Sequence, residues 1–188
     1  MSEHQQARSD RFLELLTPIE RELEGYCRRM IWDANDVRHA LQKAVLRAFQ
    51  AFDRYHEDAS FRAWMFKILT HEIFALNRKH QRIKRFETAV EPETLDTIAS
   101  TGNLGSNAGL PVSWETLNDA LDEEIVGALN ELNDIERAVL LLRAIGGLRY
   151  REISESLKIP LGSVMGNLSR ARHKMRDAIL RARRRTAT

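Results

Sequence analysis

The sequence is poor in cysteine, proline and glycine, and these shortages exclude several classes of protein. Its 188 residues include one cysteine, so no disulfide can form within the chain, which fits a reducing compartment. No Cys/His group has zinc-site spacing, and the six histidines are scattered. Neither a glycine-rich phosphate loop nor a Gly-x-Ser-x-Gly elbow occurs. We therefore expect no metal, no cofactor and no catalytic site.

Long apolar runs are also missing. No run approaches the roughly 20 residues that a membrane-spanning helix needs, and the N-terminus lacks a signal-peptide pattern. Together with the single cysteine, this predicts a cytoplasmic protein.

Charge is balanced overall but unevenly distributed. The formal net charge is only +2, from 29 Lys and Arg residues against 27 Asp and Glu residues. Between Glu87 and Glu124 there is no Lys or Arg, whereas from Arg170 onward Asp177 is the only acid. This segregation predicts that the C-terminal end binds a polyanion.

Apolar residues recur at helical intervals through the first half, and nothing alternates with the period of a strand. One stripe runs from Phe12 to Met30, with a helix start predicted at Thr17-Pro18 and frayed residues at 1–10. A second helix is predicted from about Asp36 to Phe52, followed by a polar loop up to Ser60. Ser60 should cap a long helix that ends in a cationic block, Arg78 to Arg85. The predicted fold class is all-α.

The stretch from Glu87 to Ser113 interrupts this pattern. It contains two prolines and three glycines and has the composition of a flexible acidic linker. Helices resume near Trp114, where Asn133 and Glu136 have capping-box spacing and Gly146-Gly147 predicts a helix end. We therefore predict two small helical domains, residues 10–86 and 114–185, joined by a linker at 87–113.

Two helices joined by a tight turn are predicted within the second domain. The first carries Ile153 and Leu157 and should stop before Pro160, because a residue that precedes proline avoids helical angles. Leu161-Gly162 should turn the chain and Ser163 should cap the next helix. That second helix is rich in cations. The pattern predicts a helix-turn-helix whose second helix enters the major groove, with a plain helical hairpin as the alternative.

Longer runs carry a family resemblance. Leu132 to Ile179, LNDIERAVLLLRAIGGLRYREISESLKIPLGSVMGNLSRARHKMRDAI, resembles the region-four domain of extracytoplasmic-function (ECF) sigma factors of bacterial RNA polymerase. In the first half, QKAVLRAF (42–49) and FRAWMFKI (61–68) resemble the Gln-Glu-x-Phe-Leu-Arg-Ala-Trp and Phe-x-x-Trp-Leu-x-x-Ile patterns of region two. The two resemblances stand in the family's order and cover the chain from about Phe12 to Arg183.

The resemblance implies an alternative sigma factor without catalytic activity. Such a protein binds core polymerase at the β′ clamp helices and the β flap, recognises −10 and −35 promoter elements, and is commonly held by an anti-sigma factor. The implied −10 residues are Tyr55, His56, Lys67, His71, Phe74, Arg78, Lys79 and Arg82. The implied −35 residues are Ser163, Met165, Asn167, Arg170, Arg172 and Lys174. The implied polymerase-binding residues are Asp36, His39, Gln42, Lys43 and Arg47.

Some of these assignments have ordinary structural alternatives. Tyr55 and His56 would be stacking surfaces for a flipped base, or members of an ordinary exposed loop. Trp64 lies on the apolar stripe of its helix, so we expect it in the core. The basic block of that helix would hold phosphates or be a merely solvated face.

Two departures from the family pattern stand out; the loss of acids on the second helix favours a second hypothesis, which the retained Phe61–Trp64 helix opposes, and the change in the recognition helix bears on the −35 sequence. Arg38, His39 and Lys43 replace acids that the family uses to bind polymerase, and Met165-Gly166-Asn167 stands where Lys-Ser-Arg is common. The alternative is a stand-alone helix-turn-helix regulator that binds DNA as a dimer. An enzyme acting on nucleic acid would need clustered carboxylates or a metal set, and the sequence offers neither.

Overall fold

The computed structural model describes residues 3–56, 60–88 and 124–186, and helices joined by short turns account for this part of the chain. The predicted all-α class is confirmed. The helices are α1 (Glu3–Leu16), α2 (Glu20–Met30), α3 (Val37–Gln50), α4 (Phe61–Thr88), α5 (helical at 124–130), α6 (Asp134–Ala144), α7 (Tyr150–Leu157) and α8 (Leu161–Thr186). Short 3₁₀ turns lie at Thr17–Ile19, Ala34–Asp36 and Phe52–Arg54. None of the described helices is long and apolar enough to cross a membrane.

The N-terminal segment is more ordered than its polar sequence predicts. Helix α1 begins at Glu3, so the expectation of frayed residues is wrong for the described part of 1–10. The guanidinium of Arg8 fixes this helix, donating to the Phe49 carbonyl oxygen at 2.6 Å and pairing with Asp53 at 2.8 Å. Thr17-Pro18 forms a 3₁₀ turn that redirects the chain into α2.

Helices α1 to α4 share one core. Phe12 contacts the rings of Phe49, Phe52 and Phe61 at centroid distances of 5.3, 5.2 and 5.8 Å. Deeper in the core, the buried Tyr26 hydroxyl lies 2.8 Å from the Thr70 hydroxyl. Tyr26 is the donor there, because the Thr70 hydroxyl donates its only proton to the Phe66 carbonyl at 2.6 Å.

The predicted caps of α4 and α6 and the predicted end of α6 are present in the structure. Ser60 caps α4, with its side-chain oxygen accepting from the Ala63 N–H at 3.2 Å. Asn133 and Glu136 form a reciprocal capping box at the start of α6. Helix α6 ends at Ala144, and Gly147 follows in the left-handed region with φ 66°.

The turn of the helix-turn-helix lies earlier than predicted. Helix α7 ends at Leu157 and Lys158 takes left-handed angles with φ 54°, so Lys158 to Pro160 make the turn. Helix α8 already begins at Leu161, which places Leu161 and Gly162 in its first turn. The predicted capping role of Ser163 is therefore wrong, because Ser163 is already helical. The Pro160 carbonyl accepts from the Val164 N–H at 3.1 Å and continues the turn into the helix.

The predicted domain limits remain predictions. Helix α4 extends to Thr88, and most of the predicted linker and the residues around Trp114 lie outside the described residues. The two helical units contact each other where α4 meets α7 and where α2 meets α6.

Candidate nucleic-acid interface

One face of α4 presents a row of three polar or cationic side chains and one aromatic side chain. Lys67, His71, Phe74 and Arg78 follow each other at steps of four, three and four, which places them on one face of a helix. Lys67 and Phe74 are half-buried, whereas His71 and Arg78 are exposed. Exposed cations continue along the helix at Arg78, Lys79 and Arg82. Such a row can neutralise phosphates along several nucleotides.

An aromatic cluster lies at the start of α4. The Tyr55 ring is 5.4 Å from those of Phe61 and Trp64 and stacks on Phe52 at 5.9 Å. Trp64 is half-buried and packs against the core, as expected. Tyr55 is thus held by its neighbours, and His56 is exposed beside it. Residues 57–59 of this loop lie outside the described residues.

The front of α8 offers side chains of mixed character. Met165 is 49% exposed, and Ser163 and Asn167 are half-buried. The Asn167 amide donates to the Ser163 carbonyl at 2.7 Å, and its oxygen accepts from Arg170 at 3.1 Å. Both polar ends of Asn167 are therefore occupied within the helix, so a contact with a base must displace these bonds.

Two of the predicted recognition cations also serve the fold. The carboxylate of Glu136, which is 2% exposed, lies 2.7 Å from Lys174 Nζ and 3.6 Å from Arg170 Nε. Burial opposes ionisation of Glu136. Hydrogen bonds from Lys174 and the Asn133 backbone, with the charges of Lys174 and Arg170, outweigh it and lower the pKa. These two cations tie α8 to α6, and Arg172 remains exposed.

On the outer face of α3, two of the predicted polymerase-binding residues form ion pairs within the fold. Lys43 and Arg47 both pair with Glu72 of α4, whose side chain is only 1% exposed, and the Lys43 Nζ to Glu72 Oε2 distance is 3.0 Å. Their charged ends point inward to neutralise a buried acid. His39 and Gln42 are exposed, as a docking surface requires.

Leu46 is the side chain on this face that sequence reasoning missed. It is 56% exposed in the middle of α3, between Gln42 and Gln50. The buried residues of this helix are Val37, Ala40, Ala44 and Ala48, so its core-facing side is made mainly of alanines and Leu46 lies outside it.

Asp36 is engaged with α4. Its Oδ2 lies 2.5 Å from His80 Nε2, and Asp33 contributes a second carboxylate oxygen, so the three potential ligand atoms lie within 4.8 Å of one another. Asp33 already accepts from the Asn35 N–H at 2.9 Å. The arrangement fixes the 3₁₀ turn before α3 onto α4.

A shallow cavity of about 420 Å³ lies beside the α3–α4 groove. Arg47, Arg54, His71 and Glu72 contribute its polar lining. It lies between the outer face of α3 and the polar face of α4.

Exposed cations on α4 and a helix-turn-helix formed by α7 and α8 are features typical of a DNA-binding protein. Comparison with protein families agrees: "Sigma-70 region 2" matches residues 15–83 and "Sigma-70, region 4" matches residues 122–175. The chain belongs to the sigma-70 family, as an ECF sigma factor.

Known relatives cover most of the chain. It is 24% identical over 174 residues to the ECF RNA polymerase sigma factor SigW of Bacillus subtilis, spanning 90% of this chain and 89% of SigW. Identity to the ECF RNA polymerase sigma-E factor of Escherichia coli K12 is 23% over 148 residues, spanning 78% of this chain and 75% of that factor.

Two solved structures have a similar fold. The sigma factor RpoE of Bartonella quintana, crystallised with the anti-sigma factor NepR, aligns with a TM-score of 0.68 at 18% identity, over 89% of this chain and 96% of RpoE. CnrH in complex with the cytosolic domain of CnrY aligns with a TM-score of 0.62 at 26% identity, over 94% of each chain.

The family assignment decides between the two functional hypotheses. The chain is an alternative sigma factor for transcription initiation, and a stand-alone dimeric regulator is not favoured. Sigma factors act in initiation without enzymatic activity.

Proposed function

We propose that α4 and the front of α8 read the two promoter elements, with α4 at the −10 element and α8 at the −35 element. The observation that carries this is the exposed row Arg78, Lys79 and Arg82 on α4, separate in the fold from the cations of α8. The α4 row supplies phosphate contacts, which give affinity without sequence preference. Lys67, His71 and Phe74, on the same face, are the side chains that approach bases.

Opening the duplex takes a base out of the stack, at a cost of a few kcal/mol. We assign the offsetting contacts to the loop before α4. Tyr55 contributes a rigid edge of the aromatic cluster, because its ring already packs on Phe52, Phe61 and Trp64. His56 is exposed beside it and supplies a ring on which the extruded base can stack.

On α8, we propose that Met165 and Asn167 meet base edges and Arg172 meets phosphate. An asparagine amide can bind adenine with two hydrogen bonds, and this requires Asn167 to leave Ser163 and Arg170. The apolar Met165 suits the methyl group of thymine. Ser163, Arg170 and Lys174 complete the surface, with Arg170 and Lys174 shared with Glu136.

We propose that core polymerase docks on α3 through the β′ clamp helices and on the second domain through the β flap. The exposed side chains of α3 include His39, Gln42 and Leu46, while Lys43 and Arg47 pair with Glu72. Leu46 gives this surface an apolar centre of the kind that anchors interfaces. Asp36 orients the start of the helix through His80.

The proposal extends to the setting in which the chain works. We propose a cytoplasmic protein without catalytic activity of its own, held inactive by an anti-sigma factor. Solved structures support that partner, since RpoE was determined in complex with the anti-sigma factor NepR and CnrH in complex with the cytosolic domain of CnrY.

The test is run-off transcription from a genomic promoter library with purified bacterial core polymerase, with and without the chain. We expect transcripts that depend on the chain and start downstream of two spaced elements. Arg78→Ala/Lys79→Ala should reduce all of them by weakening phosphate contacts.

A second double variant that removes the same charge elsewhere shows whether a loss of transcripts is specific to α4. Arg21→Ala/Arg11→Ala removes the same charge from α1 and α2, outside the proposed DNA surfaces, and should leave transcript levels close to those of the unaltered chain. Equal losses from both double variants would contradict the assignment of α4.

A further inference from the structure

A buried carboxylate lies against the recognition helix α8. Glu136, in the first turn of α6, has a side chain that is only 2% exposed, and both of its oxygens face α8. Its Oε2 accepts a hydrogen bond from Lys174 Nζ at 2.7 Å, and its Oε1 lies 3.6 Å from Arg170 Nε. Because a buried charge needs partners, the fold itself holds both of these cations.

The two cations lie on the edge of α8 that we assign to the −35 element. Asn167, Arg170 and Lys174 follow each other at steps of three and four, which places them on one face of the helix. Arg170 also donates to the Asn167 side-chain oxygen at 3.1 Å, so Glu136, Arg170 and Asn167 form one connected set of contacts. The side chains of Arg170 and Lys174 are 60% and 43% exposed, so a phosphate can reach them from solvent.

Phosphate groups and Glu136 compete for the same two side chains. A phosphate contact adds affinity for any duplex, because it releases a counterion without reading a base. A cation that turns from Glu136 to a phosphate leaves a buried carboxylate without its partner, and the cost of that loss opposes the contact. Met165, which is 49% exposed, can meet a base edge without any such exchange. The carboxylate therefore weakens phosphate binding and leaves the base contact of Met165 unchanged.

We propose that Glu136 is a positioning residue that holds Arg170 and Lys174 away from the DNA backbone and so lowers the sequence-independent affinity of α8. The proposal rests on the assignment of α8 to the −35 element. Base contacts then supply a larger share of the binding free energy, although both cations lie on the DNA-facing edge. A neutral group in place of the carboxylate frees the two cations for phosphates, so affinity should rise for any duplex.

The test is Glu136→Gln in the full chain, bound to core polymerase and measured by fluorescence anisotropy at several salt concentrations. Two duplexes are compared, one from a promoter found by run-off transcription and one in which its −35 element is scrambled. Glutamine keeps the length of the side chain and can still accept from the Asn133 N–H, so the capping box is preserved. Asn133→Ala is the control, because it removes the cap of the same helix and leaves Glu136 with both cations.

Glu136→Gln should steepen the slope of log affinity against log salt by about 0.9–1.8, which corresponds to one or two phosphates gained. Between about 200 and 50 mM salt, this adds a gain in affinity of about 3–12-fold, and the gain should be equal for the two duplexes. A merely structural role would lower affinity instead. Adding Lys174→Ala to Glu136→Gln should make the slope shallower again by about 0.9, and Asn133→Ala should keep the slope of the unaltered chain.

Two outcomes separate this proposal from the proposed function. If the unaltered complex binds both duplexes equally, the assignment of α8 to the −35 element is wrong, and the proposal is overturned with it. If that complex prefers the intact element but Glu136→Gln leaves the salt slope unchanged or makes it shallower, the proposal alone is overturned. The same holds if Asn133→Ala steepens the slope as much as Glu136→Gln does.

Discussion

The sharpest prediction concerns Lys43, which stands where the resemblance expects a glutamate. Its ammonium lies 3.0 Å from Glu72 Oε2, in a carboxylate that is 1% exposed. That oxygen has no partner of hydrogen-bond geometry among the described residues, so the ammonium stabilises it as an ion pair. Lys43→Glu would restore the family residue on α3, yet it would set two carboxylates against each other.

The magnitude follows from the burial of the acid and the exposure of the base. Removing one partner of a buried ion pair costs about 3–5 kcal/mol, but Lys43 is 39% exposed and Arg47 still pairs with Glu72. For Lys43→Met we therefore expect a loss of about 1–2 kcal/mol in the free energy of unfolding. For Lys43→Glu we expect about 2–4 kcal/mol, because repulsion replaces attraction at short distance.

The assay is urea unfolding followed by tryptophan fluorescence, which reports on the first domain through Trp32 and Trp64. A double-mutant cycle with Glu72→Gln isolates the pair, and the cost of Lys43→Glu should fall below about 1 kcal/mol in that background. A Lys43→Glu protein as stable as the original, or an equal cost in both backgrounds, would refute the structural role of Lys43.

Other predictions follow from single contacts. Arg78→Ala/Lys79→Ala should lower the slope of log affinity against log salt by about 1.8, measured by fluorescence anisotropy of the complex with core polymerase on duplex promoter DNA. Asn167→Ala should cost about 1–3 kcal/mol at one base pair of the −35 element and relax the preference there, measured on a set of single-base variants. The pKa of Glu136 is lowered in the fold, so its contribution to stability is present at neutral pH and is lost as pH falls through the acidic range. In Glu136→Gln the free energy of unfolding should therefore depend less steeply on pH below about pH 4.3. Burial raises the pKa of the Cys27 thiol to about 12, so it should resist alkylation at pH 8 until urea unfolds the first domain, and stability should decline as pH rises from about 9 towards 12.

The features that sequence reasoning placed well are governed by neighbours within a few residues. The capping box of Asn133 and Glu136, the Ser60 cap and the Gly146-Gly147 stop depend on backbone groups three or four positions away. Helical periodicity likewise placed Phe12 and Met30 in the core. Such signals act locally, so a single sequence contains them.

Contacts between segments that are far apart in the sequence could not be predicted in this way. Lys43 and Glu72 are separated by 29 positions and His71 and Ser156 by 85, and nothing in either local pattern pairs them. The burial of Glu72 on α4 could not be predicted from the sequence either. The start of α8 lies three residues earlier than predicted for a local reason: Lys158 takes left-handed angles, so the chain turns before Leu161.

The central claim is that the chain gives polymerase its promoter specificity as a single copy. Light scattering with size-exclusion chromatography, followed by footprinting on a promoter, tests this most directly. The account predicts a monomer that joins core polymerase one to one and protects two different elements only within that complex. A dimer that protects a palindrome without polymerase would contradict it.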